Sequence, residues 1–191
     1  MMEEKYAFEN GKLIIIDPEL KIHYEEKFNP ARISPGDTDK NKDGMKLEVL
    51  EGKKGKILQT FWKKGEKMHG ECQFFYPDGS IKLFSFYSEG HLHGPSTYLS
   101  EQGTLLASAW FIHGKQEGKA RQYYNSGELY SRQRYREGVW HGLQEYYYSD
   151  GKPKTVMPYE KGKLNGIVIL YDSNGKVERE ITFKHGKKEK E

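Results

Sequence analysis

The apolar and polar positions of this chain recur with a fixed step. Gly79, Gly103, Gly127, Gly151 and Gly175 are each 24 residues apart, and so are Gly90, Gly114, Gly138, Gly162 and Gly186. A third series, Gly70, Gly94, Gly118, Gly142 and Gly166, keeps the same interval. Gly55 extends the first series one unit upstream, where Gly65 falls one residue early and the unit is degenerate. A strict internal period is the mark of a repeat architecture, in which each unit buries its apolar face only beside its neighbours.

Within each unit the first glycine ends a short polar loop, such as Pro77-Asp78-Gly79 or Asn125-Ser126-Gly127. Only glycine enters the left-handed backbone region without a Cβ penalty, and a three-residue loop ending in such a glycine joins two antiparallel strands. Each unit therefore predicts a β-hairpin. Pairing Phe75 with Ile81 across the loop would line three apolar positions along one face, by the two-residue period of strands. They are Phe75, Leu99, Tyr123, Tyr147, Tyr171; Ile81, Leu105, Leu129, Pro153, Val177; and Tyr87, Phe111, Tyr135, Tyr159, Phe183. A second connection of the form G-x-x-x-G links one hairpin to the next. The fold class expected is all-β: an elongated antiparallel β-meander of tandem 24-residue hairpins. About 12 strands at ~4.8 Å give a sheet roughly 55 Å long. Pro153 and Pro158 each remove a ladder donor and mark the fourth hairpin as irregular.

The expected organisation is an N-terminal segment, 1–45, a repeat array, 46–186, and a charged tail, 187–191. The second face of the first two units would carry Phe74, Tyr76, Phe84, Phe86, Tyr98, Leu106 and Trp110. Such a surface is sticky if left in water. The strand-like runs KLIII and KIHYEE are expected to fold over it.

Composition fits a sheet. Hydrophobic residues make up 35% and aromatics 14%, so burial rests on Tyr, Phe and Trp, which favour strands. The formal net charge of +3 is uneven: residues 1–45 hold 7 Lys/Arg and 10 Asp/Glu, which leaves 24 against 18 for the rest. That surplus supports weak contact with anionic lipid, but nucleic-acid domains are far more basic, so no nucleic-acid partner is expected. Cys72 is the only cysteine, so no intrachain disulfide forms. The apolar run Leu13 to Ile16 is too short for a leader or a span, which points to a soluble, cytoplasmic protein.

For a partner, units three and four offer Tyr124, Tyr130, Arg132, Arg134, Tyr146, Tyr148 and Lys154, with Trp140 in the adjoining turn. Tyr and Arg supply large contact area and forked donors, and both are enriched among interface anchors. The competing reading is that cross-strand Tyr and Arg pairs stabilise a solvated face.

Candidate chemistry is sparse. No G-x-S-x-G, G-x-x-x-x-G-K-[ST] or G-x-G-x-x-G pattern occurs, so neither catalysis nor a cofactor is expected. Asp39, Asn41 and Asp43 open like a calcium loop, but the twelfth position is Leu50 rather than a bidentate glutamate, and a polar turn is the better reading. His69, His93 and His141 recur before the third glycine. Equivalent positions two strands apart are separated by roughly 10 Å, so they cannot share one zinc ion, and turn capping is the expected role. Cys72 reads as a buried thiol on a strand.

The pattern resembles the MORN repeat in its bacterial variant form, Y-x-x-x-G-K-x-x-x-x-x-x-Y-x-x-G-K-x-x-G, over residues 46–186. Tyr147, Gly151, Tyr159, Gly162 and Gly166 stand at the marked positions of one unit, while Phe and Leu replace Tyr in the first two. The resemblance implies a non-enzymatic sheet used for protein or acidic-lipid contact. Some variant arrays look like antitoxins or immunity partners, which would make the partner a toxin.

Overall fold

The computed structural model describes residues 3–33 and 41–189. Twelve strands of six residues or more, from Met45–Glu51 to Val177–Lys184, form one antiparallel sheet in which each strand pairs with its sequence neighbours. No ladder among the described residues joins the first strand to the last, so the sheet is an open meander.

The turns follow from the glycines. In the first loop the Gly79 N–H donates to Tyr76 O at 2.9 Å and the Tyr76 N–H donates to Ser80 O at 2.9 Å. Gly79 sits at φ 91°, which an L side chain rarely adopts. The same bonds recur at Ser100–Thr104, Tyr124–Glu128, Tyr148–Lys152 and Asp172–Lys176. The connection between hairpins is tighter than G-x-x-x-G suggests. It is a two-residue turn such as Glu89-Gly90, with φ 50° and 86°, closed by the pair Ser88 and His91. Two positive φ values define the type I′ turn, whose twist matches that of the strands. The third glycine lies beyond the turn, at a break in the ladder: Gly142 begins Gly142–Tyr147 just after the two-residue strand Val139–Trp140.

The face assignment differs from the expected one. Each hairpin carries a register shift beside its loop, as between Phe74 and Phe75 or between Tyr146 and Tyr147. A β-bulge adds one residue to one strand and so inverts the parity across the loop. Phe74 pairs with Leu83, and Leu83 with Tyr98, so these three share one face while Phe84, Phe86 and Trp110 occupy the other. Tyr147, beside Tyr146, likewise lies opposite to Tyr159, so the three apolar rows do not form one spine.

A separate three-stranded sheet covers the face of Phe84. Its strands are β1 (Lys5–Glu9), β2 (Lys12–Asp17) and β3 (Ile22–Lys27), joined in the order β1-β2-β3. Leu13, Ile15, Leu20, Ile22 and Phe28 form one core with Phe86, and Tyr6, Phe8, Phe84, Trp110 and Ile112 pack around it. Downstream, Ala31 and Ile33 pack with Met45, Leu47 and Trp62, and the Glu71 N–H donates to Ala31 O at 2.8 Å.

The third glycine series explains how the two layers come so close. A Cβ on Gly70 would lie 3.0 Å from Ala31 O, one on Gly94 would lie 2.5 Å from Phe8 Cζ, and one on Gly142 would lie 3.1 Å from Leu20 Cδ2. On Gly118 it would collide with the Tyr6 ring. Four of the five glycines thus form a groove that receives the N-terminal segment. The fifth, Gly166, meets only Pro158 of the array itself, at 2.9 Å.

Candidate interaction surface

Sequence order placed eight residues in one candidate patch, and the register divides them. Ser131 pairs with Tyr146 and Arg132 with Glu145, so Tyr146 and Arg132 point to opposite sides of the sheet. Arg134 shares the side of Arg132 and is only 6% exposed. Its Nη1 donates to Leu143 O at 2.9 Å and to Glu145 Oε2 at 2.8 Å, and its Nη2 lies 3.3 Å from Glu19 Oε2 beneath the N-terminal segment. Arg132 is 3.5 Å from the same Glu145 carboxylate. Internal carboxylates therefore already engage both guanidinium groups.

The tyrosines gather on the open side. Tyr130 meets Tyr124 and Tyr146 edge to face, with ring centroids 5.2 and 5.7 Å apart. Gln133 Nε2 donates to the Tyr146 hydroxyl at 2.9 Å. Lys154 Nζ lies 5.5 Å from the centre of the Tyr148 ring, and Trp140 packs edge-on against Tyr159 at 4.8 Å. Just upstream, a shallow groove of about 180 Å³ runs between Tyr98, Phe111 and Tyr135 over a floor that includes Ala107, Ala109 and Ala120. Small side chains below and rings at the rim leave a concavity, because an alanine row cannot fill the height of flanking aromatics.

Two of these tyrosines carry a structural duty that sequence reasoning missed. The hydroxyls of Tyr76, Tyr124 and Tyr148 donate to the carbonyls of Leu99, Tyr147 and Tyr171 at 2.8, 2.8 and 2.9 Å, each tying one hairpin to the next. Ser100 and Asp172 stand at the equivalent positions of the other units. A Tyr124→Phe protein should lose about 1 kcal/mol, the typical net worth of one such bond, as a shifted urea midpoint at constant m-value.

The residue before each third glycine forms a second series of ties. His69 Nδ1, His93 Nδ1 and His141 Nδ1 accept the N–H of Glu89, His113 and Lys161 at 3.3, 3.2 and 3.3 Å. Glu117 Oε2 and Asn165 Oδ1 do the same for Glu137 and His185 at 2.8 and 3.2 Å. The common requirement is an acceptor, which the readout His, His, Glu, His, Asn contains.

Glu26, His93 and His113 form the one group of donors among the described residues that approaches metal-ligand geometry. Glu26 Oε2 lies 3.4 Å from His93 Nε2 and 3.3 Å from His113 Nε2. The tautomer argues against a metal. Because His93 Nδ1 accepts an amide hydrogen, its neutral ring holds the proton on Nε2, whereas a ligating imidazole offers one nitrogen's lone pair and donates from the other. Glu26 accepts from the Tyr24 hydroxyl instead, and the buried His93 Nε2 has no hydrogen-bond partner among the described residues. Burial pushes the His93 pKa down to about 4, against a smaller opposing effect of Glu26.

The other candidates are plainer. Asp43 and Gly44, at φ 51° and 73°, form a two-residue turn between Lys42 and Met45. Asp39 of the calcium-like run lies outside the described residues. Cys72 is buried beside Ser85, and burial pushes its thiol pKa up, which suits a packed side chain rather than a nucleophile. No helix among the described residues is long and apolar enough to cross a membrane.

The MORN repeat variant model matches residues 68–83, 116–137, 140–161 and 164–185. These four segments of the array are MORN-variant repeats. The last three matches keep the 24-residue step and each ends on the first residue of a type I′ turn, Glu137, Lys161 or His185. No curated protein matches the chain. Among solved structures, one similarity is to the crystal structure of accessory secretory protein 1,2 and 3 in Streptococcus pneumoniae: 16% identity, TM-score 0.32, covering 56% of this chain and 19% of that one. Another is to the GtfA/B complex bound to UDP and GlcNAc: 15% identity, TM-score 0.28, covering 94% of this chain and 33% of that one. The MORN-variant chain thus spans between about a fifth and a third of those chains.

Proposed function

We propose that this MORN-variant protein is a non-enzymatic platform that binds another protein through the open side of its sheet. Tyr130, Tyr146 and Trp140 are the proposed anchors, beside the groove at Tyr98 and Tyr135. The observation that carries the reading is the aromatic band itself: the N-terminal sheet covers the opposite side, while this side keeps its rings over a floor of small residues. Tyr and Trp contribute contact area at low entropic cost and recur among interface hot spots. Tyr124, Tyr148 and Lys154 border the band, and Arg132 and Arg134 leave the proposed contact set because they face away. In its sharper form the partner is a toxin that the array neutralises.

The test is a pull-down from the source lysate at low and high salt, with wild type against a Tyr130→Ala, Tyr146→Ala, Trp140→Ala variant whose folding is verified by circular dichroism. A protein retained at high salt by wild type and lost by the variant is the expected result. Capture of anionic lipid alone, released by salt, would replace this reading with a basic-surface one, since charge attraction at a membrane is screened within a Debye length.

A further inference from the structure

The N-terminal sheet stops short. Its last contact along the glycine groove is Leu20 at Gly142, and among the described residues nothing of the N-terminal segment meets the third glycine of the next unit, Gly166. There Leu143 pairs with Pro158 and Val156 with Ile169, while Ile167 follows Gly166, which lies against Pro158. Leu143 and Ile167 are 38% and 48% exposed. Strand alternation puts Ile167 and Ile169 on one side, together with Val156, Leu143 and Pro158. Five aliphatic side chains thus form a contiguous patch that extends the surface buried under β1–β3.

We propose that this patch is the contact between two copies of the chain. It is aliphatic and partly exposed, and face-to-face packing of two sheets is the standard way to bury such a surface. A two-fold interface uses the same patch on both partners, and the charges at its rim suit that symmetry. Along the row Arg132, Glu145, Val156, Ile169, Glu180, fixed by the pairings between successive strands, the Arg132–Glu145 ion pair lies at one end and the Glu180 carboxylate at the other. Reversing the row about Val156 places Arg132 of one copy opposite Glu180 of the other, and Val156 opposite Val156. The contact leaves the open aromatic side free, so it is independent of the proposed partner surface.

Sedimentation equilibrium of the full chain at several concentrations tests the proposal. Wild type is expected to show a monomer–dimer equilibrium. Ile167→Lys, at an exposed position that should not disturb folding, is expected to raise the dissociation constant ~10-fold or more, as for loss of an interface anchor. Glu180→Arg, which would set a cation opposite Arg132, should weaken the dimer, and Glu180→Gln should weaken it less. A chain that stays monomeric at every concentration overturns the proposal. So does a dimer that Ile167→Lys or Glu180→Arg leaves intact.

Discussion

A Gly94→Ala protein is expected to be less stable than wild type by about 2–5 kcal/mol. A left-handed backbone costs an L residue roughly 1–2 kcal/mol and overpacking a filled core adds about 1–3. Gly94 has φ 112°, and the added methyl would lie 2.5 Å from Phe8 Cζ. The ring cannot swing away easily, because Phe86 meets it edge-on at 5.0 Å and Phe28 lies at 5.7 Å. Gly103→Ala is the control: φ is 81° and nothing lies within 4 Å, so only the backbone cost of about 1–2 kcal/mol applies. Urea denaturation should separate the two variants. In a Phe8→Ala background the Gly94→Ala penalty should shrink towards the control value, a coupling that a double-mutant cycle measures. Equal penalties at Gly94 and Gly103 would mean that the glycine does not serve the approach of the two layers.

The second large effect is a loss of stability in acid centred on His93. The unfolded pKa is about 6.5 and the folded one about 4, so the unfolded chain binds the proton first as pH falls. The stabilisation held by the neutral, fully buried ring is complete above the unfolded pKa and drains away between pH 6.5 and about 4. The difference corresponds to roughly 3 kcal/mol, at about 1.4 kcal/mol per pH unit. Carboxylates elsewhere titrate in the lower part of that window, so the diagnostic is His93→Asn. Asparagine already serves this position in the last unit, where Asn165 accepts the His185 N–H at 3.2 Å. The variant should keep the acceptor and flatten the stability profile between pH 6.5 and 5, read from chemical unfolding at each pH. An unchanged profile would place the acid sensitivity elsewhere.

The hairpin count, the loops and the meander were legible because glycine identity encodes backbone conformation, and backbone conformation encodes a turn. The faces were not. A bulged residue such as Tyr130 reads like any other strand residue, yet it resets the parity, so Tyr146 and Arg132 part company although both fit the same alternating pattern. The third glycine series was visible as a period but not as a groove, because the side chains that need the space, Phe8, Tyr6 and Leu20, lie far away in sequence. The role of the residue before each third glycine was half visible: turn capping was the expected role of the histidines, but Glu117 and Asn165 share it through an acceptor atom rather than a residue type. Tyr124 and Tyr148 show a limit of composition, since a tyrosine in a repeat can anchor a partner or the next repeat.

The reach of β1–β3 along the glycine groove has a consequence for cooperativity. An array whose units touch only their neighbours opens one unit at a time from its ends. Here one lid grips the units from Gly94 through Gly142 together, with Ala31 continuing the grip at Gly70, so none of them can open without lifting it. The hairpin after Gly166 has no such grip among the described residues, and it is where fraying is expected to begin. Amide exchange should therefore divide into two classes, one slow block that opens as a unit and one terminal hairpin that exchanges ahead of it.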